Sequence, residues 1–461
     1  MTTLHTLELP VQLDLAAIQS AQPDRYPGLL RTTGIDTGWD MLFGFPQQID
    51  RFMLADGLEA LRKHPAMQLS VSTANVQTSL PFSGGWLAFL AYELGELFEP
   101  AVQGDQKTED RGRRTEDGGR RTDSVEKPLP TGFPVAWLAR IPLAILQQPA
   151  SGRCVLVVER DYLHLRDEAM RDLQHQVLPI PVIPADALIH EEDPEPFLRG
   201  VARIQEYIRA GDVFQVNLSR AWRVQFGERL NPAALFAALM RSNPAPFSAL
   251  LQFDGYAIVS SSPERLVNVD RNGRITTRPI AGTYPRGATP SEDAALAAQL
   301  AGNPKERAEH VMLVDLERND LGRVCVAGSV RVEALMDVTH YQYVHHIEST
   351  IVGSVRDDVR VFDVLRAVFP GGTITGCPKV RTMQIIHELE HTPREAYTGS
   401  LGYINLDGSL DFNILIRSFQ VQHEQVSFRA GAGIVADSQP ARELAETRTK
   451  ARGLLRALGV A

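Results

Sequence analysis

A glycine-rich segment that leads directly into an acidic helix is the feature that most constrains the fold of this 461-residue chain. The segment at residues 431–437 is predicted to be a turn, and a helix is predicted over residues 442–450. Backbone amides left open by small residues can bind a carboxylate, and two glutamates three residues apart, Glu443 and Glu446, can bind a cation from one helix face. The sequence therefore indicates neighbouring anion and metal sites. The ordinary alternative is a plain turn followed by a solvated helix face.

A second acidic helix is predicted over residues 305–316, where apolar residues recur with helical spacing before a stop signal at residues 319–322. Glu306 and Glu309 share the polar side of this helix. Carboxylates from the two helices can meet at one hard cation, and a site with few carboxylates and open water positions suits Mg²⁺ better than Ca²⁺. For Glu306, ordinary surface charge is the interpretation that we favour.

Six motifs follow one another through the second half of the chain. They are FQVNLS (214–219), SPER (262–265), RPIAGT (278–283), ERAE (306–309), GTITGCPK (372–379) and GAGIVAD (431–437). In this order they resemble the chorismate-utilising enzymes, which include anthranilate synthase component I, aminodeoxychorismate synthase component I and the isochorismate and salicylate synthases. The resemblance is dense from about residue 195 to the C-terminus and loose before it.

The resemblance implies an α+β (mixed α/β) fold of two large, mainly antiparallel sheets packed face to face, with helices outside. Predicted strands and helices alternate irregularly, without a regular βαβ repeat, as expected for this class. We place a boundary at the start of the polar stretch that contains Pro194 and Pro196, so that residues 1–190 complete the sheets and residues 191–461 form the chorismate-binding catalytic domain. Residues 103–127 are almost wholly charged or small and are expected to form a disordered insertion.

Composition favours a metabolic enzyme of the cytoplasm. A net charge of −9 argues against a nucleic-acid-binding surface, which requires a basic patch. The three cysteines, Cys154, Cys325 and Cys377, have neither metal spacing nor a disulfide pattern, which indicates a reducing compartment. The N-terminus lacks a charged region followed by an apolar one, and no apolar run reaches transmembrane length, so no membrane contact is expected.

The resemblance also implies the catalytic and metal-binding residues. Mg²⁺ is the expected cofactor, with Glu309 and Glu446 as ligands and Glu443 reaching it directly or through water. Glu264 resembles the acid or base beside the substrate ring, and its alternative is a strand-terminating surface acid. The other residues given catalytic roles are His346 and Thr373, which resemble neighbours of the ring hydroxyl, and Lys379, which resembles a cation near the substrate carboxylates.

Arg417 resembles the arginine that binds the enolpyruvyl carboxylate of chorismate. A planar guanidinium suits that role because it can form two parallel hydrogen bonds to a carboxylate. The remaining residues assigned to substrate binding are Ala281, Gly282, Thr283, Tyr403, Gly431, Ala432, Gly433 and Lys450.

The residue at position 281 helps to distinguish between two possible products, and here it is an alanine. The equivalent motif in the better-known aminodeoxychorismate synthases carries a lysine that attacks C2 of chorismate, whereas alanine resembles the anthranilate branch, in which ammonia adds at C2. Asn217 and the segments at residues 92–99 and 344–350 resemble the aminodeoxychorismate branch instead. We therefore expect chorismate and ammonia to give 4-amino-4-deoxychorismate for p-aminobenzoate and folate synthesis. Anthranilate is the alternative product, and a water-derived isochorismate is a weaker one.

A glutamine amidotransferase partner is expected to supply the ammonia. Such enzymes need a nucleophilic cysteine with a nearby histidine, usually on a Gly-flanked turn, but Cys377 lies in the chorismate motif and Cys154 in an apolar strand. Residues 25–30 lie where relatives build a tryptophan pocket, which makes tryptophan a candidate ligand. A non-catalytic regulatory module that binds chorismate or tryptophan is a weaker alternative to the enzyme.

Overall fold

The computed structural model describes residues 4–10, 12–33, 38–71, 79–103, 132–174, 179–341 and 344–460. The disorder predicted for residues 103–127 lies outside these ranges, except at Gln103, which ends a short 3₁₀ helix. The α-helices within the described ranges are α1 (Leu15–Ala21), α2 (Gly57–Arg62), α3 (Leu94–Phe98), α4 (His164–Gln174), α5 (Pro194–Arg209), α6 (Pro232–Ser242), α7 (Pro290–Gly302), α8 (Pro304–Gly322), α9 (Val361–Val368), α10 (Lys379–Leu389) and α11 (Pro440–Ala457).

The strands of the described residues form two sheets. In chain order they are β1 (Leu4–Leu9), β2 (Gly28–Arg31), β3 (Asp40–Gly44), β4 (Gln48–Phe52), β5 (Gly85–Leu90), β6 (Ala136–Ile141), β7 (Leu143–Gln148), β8 (Arg153–Glu159), β9 (Leu188–Glu191), β10 (Gln215–Gln225), β11 (Phe247–Phe253), β12 (Tyr256–Ser262), β13 (Arg265–Val269), β14 (Arg274–Thr277), β15 (Ile280–Pro285), β16 (Arg331–His340), β17 (Val344–Ser354), β18 (Gly376–Cys377), β19 (Ser400–Asn405), β20 (Leu410–Asn413), β21 (Ser418–Gln422) and β22 (Gln425–Ile434).

The first sheet has 12 strands in the order β1-β8-β7-β3-β2-β11-β12-β21-β22-β10-β18, with β9 also paired to β10. The second has ten strands in the order β15-β17-β14-β13-β20-β19-β5-β6-β4, with β16 also paired to β17. All these pairings are antiparallel. The predicted α+β fold of two large antiparallel sheets with flanking helices is confirmed.

Apolar residues on both faces of each sheet explain the layered packing. In β5, Leu87 and Phe89 pack into the cluster shared with strands of the first sheet, while the alternate residues Trp86, Ala88 and Leu90 pack into a second cluster under α9. Side chains alternate between faces along a strand, so a strand that is apolar throughout must be covered on both sides. Helices α1, α4, α6 and α11 cover the other face of the first sheet.

Residues before position 190 contribute strands to both sheets. Strands β1, β2, β3, β7 and β8 belong to the first sheet, and β4, β5 and β6 belong to the second. The predicted boundary between residues 190 and 191 falls inside β9, which pairs with β10 of the C-terminal part.

One prediction of local structure is wrong and another is confirmed. The glycine-rich segment is not a turn where its glycines stand, because Gly431 and Gly433 lie within β22 and pair with Ser219 and Asn217 of β10. Helix α8 ends at Gly322, within the stop signal predicted at residues 319–322. Its start follows standard capping, since the Asn303 side chain accepts hydrogen bonds from the second and third helical N–H groups.

No helix in the described part of the chain is both long and apolar enough to cross a membrane.

Candidate functional site

Unpartnered polar atoms mark one region of the interior. Among the described residues, 13 buried side-chain nitrogen or oxygen atoms lack a hydrogen-bond partner. Several of them lie on segments that meet where β10, α8 and the turn before β18 come together, namely those of Gln215, Asn217, Glu264, Thr277, Arg278, Glu317 and Thr373. Each buried polar group that lacks a hydrogen bond costs about 1–3 kcal/mol of folding free energy. A cluster of them is typical of a site whose ligand supplies the missing hydrogen bonds.

The chain crosses from one sheet to the other twice in this region. One crossing joins β12 to β13 and carries Glu264; the other joins β20 to β21 and carries Arg417. The crossings are linked to each other, since the Ile414 N–H donates to the Glu264 carbonyl at 3.0 Å and the Ser261 N–H donates to the Arg417 carbonyl at 3.1 Å. The backbone thus holds a carboxyl and a guanidinium on adjacent connections.

Glu264 is a buried acid rather than a surface one. Its side chain is 4% exposed, and its Oε1 atom has no hydrogen-bond partner among the described residues. Burial raises the pKa of Glu264 to about 7, although the nearby Thr373 hydroxyl and the Ile280 amide oppose the shift. The Thr373 hydroxyl is close to this carboxyl without forming a hydrogen bond of good geometry. A carboxyl that is half protonated near neutral pH can serve as a general acid.

His346 lies on β17 beside the RPIAGT strand β15. Its Nδ1 atom is 2.9 Å from the Gly282 carbonyl and 3.2 Å from the Thr283 hydroxyl. Burial lowers the pKa of His346 to about 4, so the imidazole is neutral at physiological pH. Since a carbonyl can only accept, we assign the ring proton to Nδ1, which leaves Nε2 as an acceptor. Ala281 pairs with Ile347 in the same two strands.

Among the described residues of the site, Arg417 is the cation whose side chain has no bonding partner. Its side chain forms no hydrogen bond or ion pair with the described residues, and its backbone has a positive φ of 53°. Burial lowers its pKa, while Tyr397 and Glu446 favour its charged form. A guanidinium without a carboxylate partner in such surroundings can bind an anionic ligand.

Tyr397 belongs to the site although the sequence analysis did not identify it. A Cβ atom at Gly431 would lie 2.8 Å from its hydroxyl, and Arg417 is near enough to oppose the rise that burial causes in the pKa of Tyr397. The predicted tyrosine, Tyr403, lies elsewhere: it lines a cavity with Trp39 and Phe247. Tyr397 and Tyr403 are close together in the sequence, and nothing in that segment indicates which of them faces the site.

Gly431, Ala432 and Gly433 bring the backbone of β22 close to polar side chains of β10. A Cβ at Gly431 would lie 2.5 Å from Asn217 Oδ1, and one at Gly433 would lie 2.3 Å from Gln215 Nε2. Strand β21 pairs with β22 only over residues 425–428, so one edge of β22 beyond them has no neighbouring strand in the described fold. The glycines therefore keep both this edge and the space beside it accessible.

Four glutamates from α8 and α11 come together next to this strand. Glu306, Glu446 and Glu443 each raise the pKa of Glu309, to which burial contributes most. Glu306 is half-buried, and its carboxylate is near Gly282, so its interpretation as ordinary surface charge is wrong. The first two turns of each helix thus form a concentrated patch of negative charge.

Lysines engage two of these glutamates. Lys305 lies 3.7 Å from Glu309, and Lys450 lies 2.8 Å from Glu446 and donates to the Gly431 carbonyl at 3.0 Å. No three carboxylate, imidazole or thiol side chains of the described residues are arranged closely enough to enclose a metal ion as they stand.

Lys379 begins α10 and is held by the protein itself. Its Nζ atom donates to Asp320 at 2.6 Å and to the Val368 carbonyl at 3.3 Å. It therefore lies at the α8 side of the site, with its charge balanced by Asp320.

The segment predicted to form a tryptophan pocket is divided between two environments. Arg25 and Tyr26 both bond to the Asp172 carboxylate, at 2.7 and 2.9 Å. Leu30 lines a cavity of about 220 Å³ together with Trp39 and the other residues that surround Tyr403. A cavity is thus present at the end of this segment.

Comparisons with known proteins agree on one family. The family of chorismate binding enzymes matches residues 44–456 of the chain. An anthranilate synthase component I-like protein of Synechocystis is 39% identical over 84% of this chain and 75% of its own length. Aminodeoxychorismate synthase component 1 of Bacillus subtilis is 49% identical over 57% of this chain and 55% of its own length. The chain likewise spans about half the length of the curated anthranilate synthases that it matches.

A solved structure of anthranilate synthase component I from Streptococcus pneumoniae has the same fold. It superimposes with a TM-score of 0.74 and 28% identity, over 92% of this chain and 93% of the other. The family match extends from β3 to α11 and so includes the sheet crossings, the glycine-rich strand and the acidic helices described above. The chain therefore belongs to the family of chorismate binding enzymes.

Proposed function

We propose that this chain aminates chorismate, with ammonia as the nitrogen donor and 4-amino-4-deoxychorismate as the product. The observation that carries the proposal is the buried Glu264 carboxyl, which has an unpartnered oxygen among the described residues and a pKa of about 7 caused mainly by burial. The C4 hydroxyl of chorismate is a poor leaving group until an acid protonates it. A carboxyl that holds its proton near neutral pH is suited to that step.

The two carboxylates of chorismate require two different partners. Arg417 and Tyr397, with the accessible edge of β22, are proposed to bind the enolpyruvyl carboxylate. Lys450 lies between this strand and α11 and adds positive charge. The guanidinium supports this assignment because no side chain of the described residues competes for it.

The ring carboxylate is proposed to be bound through Mg²⁺. The donor chemistry fits, because Glu309, Glu443 and Glu446 are hard oxygen donors that lie close enough to repel one another. Glu309 and Glu446 would bind the ion directly, and Glu443 directly or through water. Bound Mg²⁺ would neutralise the ring carboxylate and hold the ring in place.

The proposed reaction is balanced in protons. Glu264 donates its proton to the C4 oxygen, which leaves with the bonding electrons as water. Ammonia forms the new bond at C4, and the resulting ammonium group releases one proton, which restores Glu264. Before the ring hydroxyl leaves, His346 offers it the Nε2 lone pair and Thr373 offers it a hydroxyl that has no partner among the described residues. Because Ala281 has no nucleophilic atom, no covalent intermediate forms at that position.

Anthranilate is the second candidate product, and Ala281 favours it. The resemblance of this residue to the anthranilate branch implies addition of ammonia at C2. That reaction also loses the C4 hydroxyl and so uses the same acid. We place 4-amino-4-deoxychorismate first because the segments at residues 92–99 and 344–350 and Asn217 resemble the other branch.

Two partners complete the proposal. Ammonia is proposed to reach the site from a glutamine amidotransferase subunit. Tryptophan is proposed as the ligand of the cavity lined by Trp39, Phe247 and Tyr403, whose aromatic walls suit an indole ring.

The test is identification of the product. The purified chain is incubated with chorismate, Mg²⁺ and ammonium, and the products are separated and identified by mass and fluorescence. A 4-amino product that still carries its enolpyruvyl group supports the proposal. If the products are anthranilate and pyruvate, with no 4-amino product, anthranilate becomes the first candidate and 4-amino-4-deoxychorismate the second.

A further inference from the structure

A buried cluster of charged side chains borders the proposed site and has no role in the proposed reaction. It consists of Glu390 at the end of α10, Arg394 in the connection to β19, and Arg429 on β22. All three side chains are at most 8% exposed. Arg394 and Arg429 bond to the Glu390 carboxylate at 2.6 and 2.9 Å. Two buried cations therefore share one carboxylate.

The Arg394 guanidinium uses all of its donors. A guanidinium has five N–H groups, and this one makes five hydrogen bonds. Nε and Nη2 donate to the Glu390 carboxylate at 3.0 and 2.6 Å. Nη1 donates to the Ile374 carbonyl at 3.1 Å and to the Thr398 hydroxyl at 3.3 Å, and Nη2 also donates to the Asn217 carbonyl at 2.8 Å. Because two of these partners are backbone carbonyls, the rigid fork fixes the course of the chain itself.

The segments that Arg394 links carry groups of the proposed site. Ile374 directly follows Thr373, and Thr398 directly follows Tyr397. The third segment is β10, which pairs with the glycine-rich part of β22. Strand β10 is distant in the sequence from the other two segments, so no local structure keeps the three together. One side chain connects all of them.

The backbone on either side of Tyr397 has an unfavourable conformation. Glu395 has a φ of 51° and Thr398 a φ of 61°. This left-handed region is disfavoured for any residue with a Cβ atom, and such residues persist only where their surroundings hold them. The Glu93 carboxylate contributes to this, since it accepts from the N–H groups of Arg394 and Glu395 at 2.8 and 3.1 Å. The position of Tyr397 thus depends on contacts made by its neighbours.

Arg394 also contacts Tyr397 itself. The guanidinium carbon lies 5.6 Å from the centroid of the Tyr397 ring, a distance at which an aromatic face attracts a cation. The Thr398 hydroxyl, which accepts from Arg394, donates to the Tyr397 carbonyl. The arginine therefore acts on both the ring and the backbone of this tyrosine.

Stability alone does not require this arrangement. Replacing a buried ion pair by apolar residues of similar volume is often neutral or stabilising. Arg429 bonds to the same carboxylate, but its other partners are the hydroxyls of Ser219 and Thr392, at 3.0 and 2.7 Å. Arg394 differs from Arg429 in the backbone that it holds, although both neutralise the same charge.

We propose that Arg394 is a positioning residue, whose guanidinium holds Tyr397 against β10 and the turn that follows Thr373, in the arrangement that binds the enolpyruvyl carboxylate of chorismate. The proposal rests on the function proposed above, in which Tyr397 binds that carboxylate. Without the five bonds the chain can still form its sheets, but the tyrosine is no longer fixed relative to the other two segments. A displacement of about 1 Å in such a group can cost about a hundredfold in rate.

The first test is a double-mutant cycle between Arg394→Lys and Tyr397→Phe, measured as kcat/KM for consumption of chorismate. Lysine keeps a charge beside Glu390, but its three donors cannot replace five bonds. We expect Arg394→Lys to lower kcat/KM by about tenfold to a hundredfold in the wild type and by about threefold or less in Tyr397→Phe, which lacks the hydroxyl to be positioned. A general loss of structure lowers both by the same factor, so equal factors would overturn the proposal.

Arg429→Lys is the matched control, because it makes the same substitution beside the same carboxylate and leaves the five bonds of Arg394 in place. Its kcat/KM should stay within about twofold of the wild type. If it loses as much as Arg394→Lys, the effect belongs to the charged cluster as a whole and the proposal is wrong.

Thr398→Val takes the place of Arg394→Lys in the cycle if the lysine variant does not fold. It keeps the shape of the side chain and removes the hydroxyl that joins Arg394 to the Tyr397 carbonyl. We expect a smaller loss of kcat/KM that again shrinks in Tyr397→Phe, and Thr398→Ser, which keeps the hydroxyl, should recover most of it. A loss of equal size in both backgrounds would again count against positioning of Tyr397.

The second test needs no chorismate. Hydrogen exchange followed by mass spectrometry should show faster exchange at residues 372–376 and 393–399 in Arg394→Lys, or in Thr398→Val if that variant replaces it, than in the wild type and Arg429→Lys. Unchanged exchange in both segments would show that Arg394 does not hold them and would overturn the proposal. Because this readout does not depend on turnover, it separates failure of the positioning role from failure of the proposed amination.

Discussion

Two buried glutamates, Glu264 and Glu390, show that burial alone does not determine what a carboxyl does. Burial dominates at Glu264 and raises its pKa to about 7. At Glu390 burial acts in the same direction, but Arg394 and Arg429 reverse the result. Ionisation of Glu264 is therefore costly, whereas the surroundings of Glu390 favour its ionised form.

Glu264→Gln should abolish activity while making the protein more stable at alkaline pH. The folded pKa of about 7 is above the ordinary value of 4.5, so the contribution of Glu264 to stability is complete below pH 4.5 and is lost as the pH rises through 7. The neutral amide avoids this loss. The measurement is the free energy of unfolding of the variant minus that of the wild type, determined by denaturant unfolding. This difference should increase by up to about 3 kcal/mol between about pH 4 and about pH 8.

Glu390→Gln is the control for this measurement. It should lose stability at neutral pH, because two buried arginines lose their counter-charge. If Glu264→Gln is fully active, or if its stability difference from the wild type does not change with pH, Glu264 is not the buried acid of the site.

Residue roles were only partly predictable from the sequence. The resemblance of the motifs to a known family pointed to Glu264, His346, Thr373 and Arg417, which lie in segments that the fold brings together. Tyr397 was missed in favour of Tyr403, because Tyr397 lies in the turn before β19 and Tyr403 lies within that strand, and the motif does not state which of the two faces the site. The burial of Glu317 was not predicted either, since a glutamate in a predicted helix is normally a surface residue.

At the scale of elements, the site depends on the first two turns of α8 and of α11. Asn303 caps α8, and Pro440 begins α11. Both helices were predictable, α8 from its apolar spacing and α11 from the acidic segment at residues 442–450. The strand character of residues 431–434 was not, because it arises from pairing with β10, more than 200 residues earlier in the chain.

Glu309→Gln and Glu446→Gln should each lose activity through weakened Mg²⁺ binding, and Glu443→Gln should lose less. Removing one of two or three anionic ligands weakens a hard-cation site severely, by more than the roughly 10–100-fold in metal affinity that loss of an outer-shell partner costs. The measurement is activity as a function of Mg²⁺ concentration for each variant. The folded state should change little, because the glutamine side chains have the same shape.

Glu388→Gln is a suitable control, since this glutamate is exposed on α10 and bonds to Tyr207. Its Mg²⁺ dependence should match that of the wild type. If excess Mg²⁺ leaves Glu309→Gln and Glu446→Gln as active as the wild type at every concentration, these residues are not the ligands.

At the scale of the whole molecule, the chain lacks an activated thiol. Burial raises the pKa of Cys154 and of Cys325 to about 11 each, and it also raises the pKa of Cys377. A thiol with such a pKa is protonated at neutral pH and is a poor nucleophile. The fold itself was predictable as two antiparallel sheets through the resemblance of its motifs. The distribution of N-terminal strands over both sheets was not, since no local pattern records which distant strand is a neighbour.

The isolated chain should therefore use ammonium but not glutamine. The measurement compares chorismate turnover with each nitrogen source, before and after addition of a glutamine amidotransferase subunit. We expect glutamine to support turnover only in the presence of that subunit. Glutamine-dependent turnover by the pure chain would show that it generates ammonia itself.

The measurement that tests the central claim most directly is the rate of chorismate consumption with and without ammonium, in the presence of Mg²⁺. If the site around Glu264 aminates chorismate, the wild type should consume chorismate only when ammonium is present, with one amine product formed for each chorismate lost, and Glu264→Gln should consume none. Consumption that does not depend on ammonium, or tight binding of chorismate without any consumption, would contradict the account.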